Sequence, residues 1–175
     1  VILFSRLLDA ITDPIIGYVS DRYSSRTGTR KPLILAGGLL FAVSGYFLYT
    51  PPDNVSAFYF SFWLVFFYLG WTLFEVPHMS WASDLATNTH AKTKIFSYRT
   101  ATGYLGLVFF YMIPLLPFFE TSDITPETLR WCAISAGLLI FPTLYICLKN
   151  VPNGNVTRSQ KKPLDNSHRA GIKEL

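Results

Sequence analysis

Residues 57–74 read AFYFSFWLVFFYLGWTLF. No side chain in this stretch is charged, and aromatic rings recur throughout it. Wound as an α-helix, eighteen residues rise about 27 Å, close to the ~30 Å hydrocarbon core of a bilayer. Working outward, Leu33–Thr50, Thr100–Phe119 and Trp131–Leu148 are also free of charge. One such run could be a core helix. Four in succession cannot be buried in a soluble domain of 175 residues. The composition agrees: 50% of residues are hydrophobic, 17% aromatic and only 15% charged, where a soluble domain is nearer a quarter charged.

Strands are the competing reading of so many Phe, Tyr and Val residues. The runs lack the period-two alternation of a membrane barrel. Unpaired backbone is too costly in lipid, so long apolar runs must be helical. The expected fold is therefore an all-α membrane protein. Five spans are expected, at about Val1–Ser20, Pro32–Thr50, Ala57–Ser83, Ile95–Phe119 and Leu129–Leu148. Val1–Phe4 lack the basic leader of a secretory signal, and the chain reads as starting inside a longer protein. Cys132 and Cys147 lie four helical turns apart on the last span and read as packing residues.

Loop charge orients the bundle. Arg22, Arg26, Arg30 and Lys31 fall in or beside the first loop, Lys92 and Lys94 in the third, and a run of Lys and Arg in the tail. Pro51–Ser56 has no basic residue, and the fourth loop has only Arg130 at its edge. Alternate loops are thus basic, which places them and the tail in the cytoplasm of a multi-pass cell-membrane protein. The net charge of +4 follows from this asymmetry and needs no nucleic-acid partner. Residues 1–149 form the bundle. Residues 150–175, polar and rich in Asn, Ser and Pro, are expected to be a flexible cytoplasmic linker.

Ionisable groups inside spans are the informative residues, because burying them at membrane depth is costly. Arg6, Asp9 and Asp13 are spaced by three and four residues, which keeps them within about 60° on one helix. Carboxylates about 6 Å apart, at an effective dielectric of about 20, repel by roughly 3 kcal/mol. Arg6, a proton or a bound cation must offset that. A monovalent cation suits these oxygen ligands, and Thr12 adds a hydroxyl. An Arg6–Asp9 structural pair is the plainer alternative. Glu75 lies in the third span, with Trp71 and Met79 one turn to either side on its face. Pro77 removes a backbone donor and frees a carbonyl one turn earlier. Arg99 opens the fourth span and suits either a carboxylate or solute hydroxyls. Thr102, Gly103 and Gly106 follow it and suggest close helix packing. A structural kink with Glu75 paired to Arg99 is the plainer alternative there. His78 could relay protons or simply pack.

These residues form a set. Residues 6–22, RLLDAITDPIIGYVSDR, and 26–32, RTGTRKP, resemble the second helix and following loop of the glycoside–pentoside–hexuronide:cation symporters, the melibiose-permease branch of the major facilitator superfamily. Glu75-Val-Pro-His-Met-Ser80 resembles that family's fourth-helix motif, and Ser97-Tyr-Arg99 the start of its fifth helix. The similarity runs through nearly all of residues 1–149. It implies a twelve-helix fold in two halves, of which the five spans are helices two to six. Helix one and the carboxy-terminal half would lie outside the chain.

The resemblance implies a cation site at Asp9, Thr12, Asp13 and Thr72, and a sugar site at Glu75, Met79 and Arg99. Thr12 stands in place of an Asn, Glu75 in place of an Asp, and Met79 in place of a Trp that contacts sugar. It further implies that Asp21, Arg22 and Arg30 latch the cytoplasmic side. The implied function is symport of a sugar or glycoside with sodium or a proton, by alternating access. No other cofactor is implied. The implied partners are the small solute, the monovalent cation, the bilayer and the remainder of the transporter. A lipid or lysolipid transporter of the same fold is the alternative, and an inactive half-transporter a further one. An enzyme is not expected, since the sequence offers no metal-ligand cluster and no convincing nucleophile–base pair.

Overall fold

A computed structural model describes residues 2–52, 54–119 and 123–154, with side chains described from Ala10 onward. Among the described residues every regular element is helical. These elements are α1 (Ile2–Thr27), α2 (Lys31–Tyr49), α3 (Ala57–Leu85), α4 (Thr89–Met112) and α5 (Pro126–Asn150), with a short 3-10 turn at Ile113–Leu115.

The helix ends follow local chemistry. α1 runs past Ser20 and stops at Gly28, whose φ of +73° is left-handed and open to glycine. Its N–H closes on the Ser24 carbonyl at 2.8 Å. The Ser56 hydroxyl caps α3 by accepting from the Tyr59 N–H at 3.1 Å. Asn88 caps α4 by accepting from Ala91 N–H at 2.8 Å, so that helix starts well before Ile95. α4 stops at Met112 rather than running to Phe119, because Pro114 has no N–H to continue the ladder. α5 opens with a reciprocal capping box between Thr125 and Thr128, with Pro126 at its first position.

α2, α3 and α5 are long and apolar enough to cross a membrane. α1 and α4, at 26 and 24 residues, are as long, but the charged groups they carry dilute their apolarity. α2 and α3 touch backbone to backbone. A Cβ on Gly37 would sit 2.4 Å from Phe74 N, and one on Gly70 would sit 2.6 Å from Phe41 N. Without a hydrophobic drive inside lipid, such close approach is what holds helices together. α5 packs on the next face of α2, where a Gly38 Cβ would meet Leu144 at 3.0 Å. α1 lies along α3, with Gly17 facing Val76. A small core of Ile34, Trp81 and Leu144, flanked by Phe74 and Leu148, closes the end that bears the basic loops.

α4 stands apart. It has no buried residue, and a Cβ on Gly103 or Gly106 would meet nothing within 4 Å. The close packing expected at those glycines is not made among the described residues. Large apolar side chains such as Leu105, Phe118 and Leu138 are exposed, as suits surfaces facing lipid or further helices.

Candidate functional site

α3 and α4 are joined by an ion pair, the Glu75–Arg99 pairing that the plainer reading of the sequence names. The Arg99 Nη2 donates to Glu75 Oε1. Both side chains are partly exposed, at 34% and 23%, so the pair sits at an open edge of the bundle. Met79 is half-buried one turn beyond Glu75, and Trp71 is exposed one turn before it. The structure thus brings together Glu75, Met79 and Arg99, joined by the α3 register and by the ion pair. A guanidinium and a carboxylate side by side can exchange each other for the hydroxyls of a polar solute.

Of the residues expected to form a cation site, Thr12, Asp13 and Thr72 can be placed, toward the neighbouring side of α3. Gly17 of α1 meets Val76 of α3, and both helices end at the same side. One turn earlier on each lie Asp13 and Thr72, which are therefore level with one another. Thr72 is buried, at 3% exposure. Thr12 is half-buried and Asp13 is exposed on this part of the fold. The Asp9 side chain, like that of Arg6, lies outside the described residues. Pro14 interrupts the backbone ladder of α1 just after Asp13. The carbonyl freed by Pro77 belongs to Leu73, and it lies against Gly37 of α2. It therefore serves the helix contact, on a face away from Glu75.

A second polar cluster closes the basic end. Arg30 is 7% exposed. Its Nη1 donates to Asp21 Oδ1 at 2.6 Å and to Ser20 Oγ at 3.0 Å, and its Nε donates to Asp84 Oδ2 at 3.1 Å. One guanidinium fork thereby ties α1 to α3. Arg22 is not part of this cluster. It is exposed and donates to the Tyr18 hydroxyl at 3.3 Å. Asp84 and Ser20 were not among the residues expected here. Asp84 falls just past the expected end of its span, and Ser20 carries no charge to mark it. An acid at the end of α3, facing a loop of Arg and Lys, is the signal that could have found Asp84.

Next to this cluster the chain after α5 is held down. Lys31 Nζ donates to the carbonyls of Leu148 at 2.7 Å and Val151 at 2.6 Å. Trp81 Nε1 donates to the Pro152 carbonyl at 3.0 Å. The Thr29 hydroxyl donates to Asn153 Oδ1 at 3.0 Å. Residues 150–154 of the expected linker are therefore packed on α2 and α3, and the rest of it lies outside the described residues. Among the described residues no group of three or more His, Cys, Asp or Glu could hold a metal ion.

Comparison with known proteins identifies the family. The chain matches the family described as MFS/sugar transport protein over residues 1–174. It is 30% identical over 141 residues to the uncharacterized symporter YnaJ of Bacillus subtilis, covering 78% of this chain and 30% of that protein. It is 31% identical over 121 residues to the inner membrane symporter YicJ of Escherichia coli, covering 65% and 26%. It is 29% identical over 111 residues to the human major facilitator superfamily domain-containing protein 12, covering 57% and 23%. The chain spans a third or less of the length of these relatives. No solved structure gives a significant match.

Proposed function

The chain belongs to the MFS/sugar transport protein family and is an integral membrane protein, and from that premise we propose that it forms part of the amino-terminal half of a cation-coupled symporter for a sugar or glycoside. The observation that carries the reading is where Glu75 and Arg99 stand: both are charged, both lie on long helices of a membrane protein, and both are partly exposed at the open edge between α3 and α4, where a solute could reach them. The symporter names of YnaJ and YicJ support it, and none of the relatives compared is named as an enzyme.

In this reading a sodium ion or proton neutralises Asp9 and Asp13, with Thr12 and the level Thr72 completing the site. Relief of the carboxylate repulsion lets α1 settle on α3. Glu75 and Arg99, on the adjoining face of α3, then turn from each other to solute hydroxyls. Cation and solute must strengthen each other's binding by the same factor. The rest of the transporter would close the site, and the halves would rock about it. The Arg30 cluster would latch the basic end, which this reading places in the cytoplasm, when that side is shut.

The test is Asp13→Asn in the whole gene product that contains this chain. It should abolish the sodium or proton dependence of uptake, and an unchanged ion dependence would remove the assignment. A lipid or lysolipid substrate is the second reading, favoured by Met79, which offers no flat face for a pyranose ring. Competition between a galactoside and a lysolipid for uptake separates the two.

A further inference from the structure

His78 is the chemical group at this site that the ion pair leaves unused. It follows Glu75 by three residues on α3, about 60° around the helix. It lies within electrostatic reach of both Glu75 and Arg99. Its ring is held on two sides. It stacks on Phe74 with centroids 5.5 Å apart and planes 9° from parallel, and Trp81 meets it edge-on at 6.4 Å. The plane of the imidazole is thus set by its aromatic neighbours. Yet its Nδ1 is buried and has no hydrogen-bond partner among the described residues.

A buried ring nitrogen without a partner is destabilising, and a Phe in the same place would stack equally well at no such cost. Groups kept against that cost are expected where a partner arrives from elsewhere. We infer that His78 is a solute-positioning residue whose Nδ1 exchanges a hydrogen bond with a hydroxyl of the bound solute, beside the Glu75–Arg99 pair. A neutral imidazole nitrogen can accept, or in the other tautomer donate. A hydroxyl can do either, so the match holds in both tautomers. With a carboxylate that accepts and a guanidinium that donates, the three groups offer a polyhydroxy solute a mixed set of contacts. This inference rests on the reading of Glu75 and Arg99 as solute-binding.

The experiment uses the whole gene product in membrane vesicles, with every native cysteine, Cys132 and Cys147 among them, replaced by Ala. His78→Cys is then labelled with a thiol-specific methanethiosulfonate reagent, alone or with methyl β-galactoside or lysophosphatidylcholine. The galactoside should slow labelling severalfold. Protection by the lysolipid alone would keep His78 at the solute site and overturn the sugar reading. Labelling that neither solute slows would overturn the role of His78. His78→Phe, which keeps the stack on Phe74, gives a second readout with the solute that protects. Its KM should rise severalfold, to about tenfold at most, the worth of one ordinary hydrogen bond, with Vmax little changed. An unchanged KM would mean that His78 only packs.

Discussion

Arg30 and Asp84 stand 54 residues apart in the chain and meet at 3.1 Å, which makes the end of α3 a partner of the loop that follows α1. Their side chains are 8% and 12% exposed, whereas Asp21, the other carboxylate on the same guanidinium, is 62% exposed. The shorter contact is therefore the weaker one energetically. Water screens the Asp21 pair, and such pairs are worth about 0–1 kcal/mol. Removing one partner of a buried pair costs about 3–5 kcal/mol, because the other charge is left uncompensated.

Asp84→Ala should therefore destabilise the protein by about 1.5–3 kcal/mol, short of the full cost of a stranded charge because Arg30 keeps Asp21 and Ser20, and Asp21→Ala by no more than about 1 kcal/mol. Unfolding of the two variants in detergent, compared with the parent, measures the difference. Equal losses would show that the distance between charges, and not their burial, sets the strength of the cluster.

Much of this architecture was legible in the sequence. Charge-free runs mark α2, α3 and α5, since nothing except length and apolarity is needed to cross a membrane. Helix ends were less legible because they depend on single caps, as at Asn88 and Gly28, and on Pro114. Glu75 and Arg99 stood out as charges at membrane depth and their pairing was one of two readings open, but only the way α4 lies on α3 shows that they meet. Arg30 stood out as a loop charge. Its partner Asp84 did not, because a carboxylate at a helix end is ordinary until the fold brings a buried guanidinium to it. The contact at Gly37 and Gly70 was likewise hidden, since glycine in a membrane helix does not announce which helix it touches.

That contact sets the second prediction. An added methyl at Gly70 would fall 2.6 Å from the α2 backbone, with no flexible side chain able to give way. Gly70→Ala should cost about 1–3 kcal/mol by overpacking. Gly103→Ala, where a Cβ meets nothing, should be neutral or gain up to about 1 kcal/mol from helix propensity. Thermal unfolding of both variants checks this. A loss at Gly103 as large as that at Gly70 would reveal another helix lying against α4.

The Glu75–Arg99 pair can be separated from a purely structural role by a double-mutant cycle. Glu75→Gln and Arg99→Gln should each lower galactoside uptake at least about tenfold, since each strands a charge and removes a solute contact. If the pair serves only to fasten α4 to α3, Glu75→Gln combined with Arg99→Gln should restore uptake, because no charge is then left unpaired. If the groups bind solute, uptake stays low although stability recovers. Measuring uptake and unfolding on the same four proteins distinguishes these outcomes.

The chain beyond α5 offers the last prediction. The α5 C-terminus presents carbonyls that carry partial negative charge, and the Lys31 ammonium satisfies two carbonyls of this region, Leu148 and Val151. The same ammonium lies 5.6 Å from the centre of the Trp81 ring, whose N–H holds Pro152. Beyond it, Gly154 lies so close to Asp84 that a Cβ would come within 2.4 Å of the Asp84 Cβ. These contacts make residues 151–154 a strap across α2 and α3, seated beside the Arg30 cluster. Trp81→Phe keeps the ring but removes the donor, so it should weaken the strap by about 0.5–1.5 kcal/mol, the net worth of one hydrogen bond. Amide exchange at Val151, Asn153 and Gly154 should then speed up by severalfold to about tenfold, while exchange in the middle of α2 stays unchanged. Lys31→Gln should act in the same direction and more strongly, because it removes two bonds from a charged donor. If exchange at these residues is already fast in the parent and neither variant alters it, the strap does not hold in solution and the chain after α5 moves independently of α3.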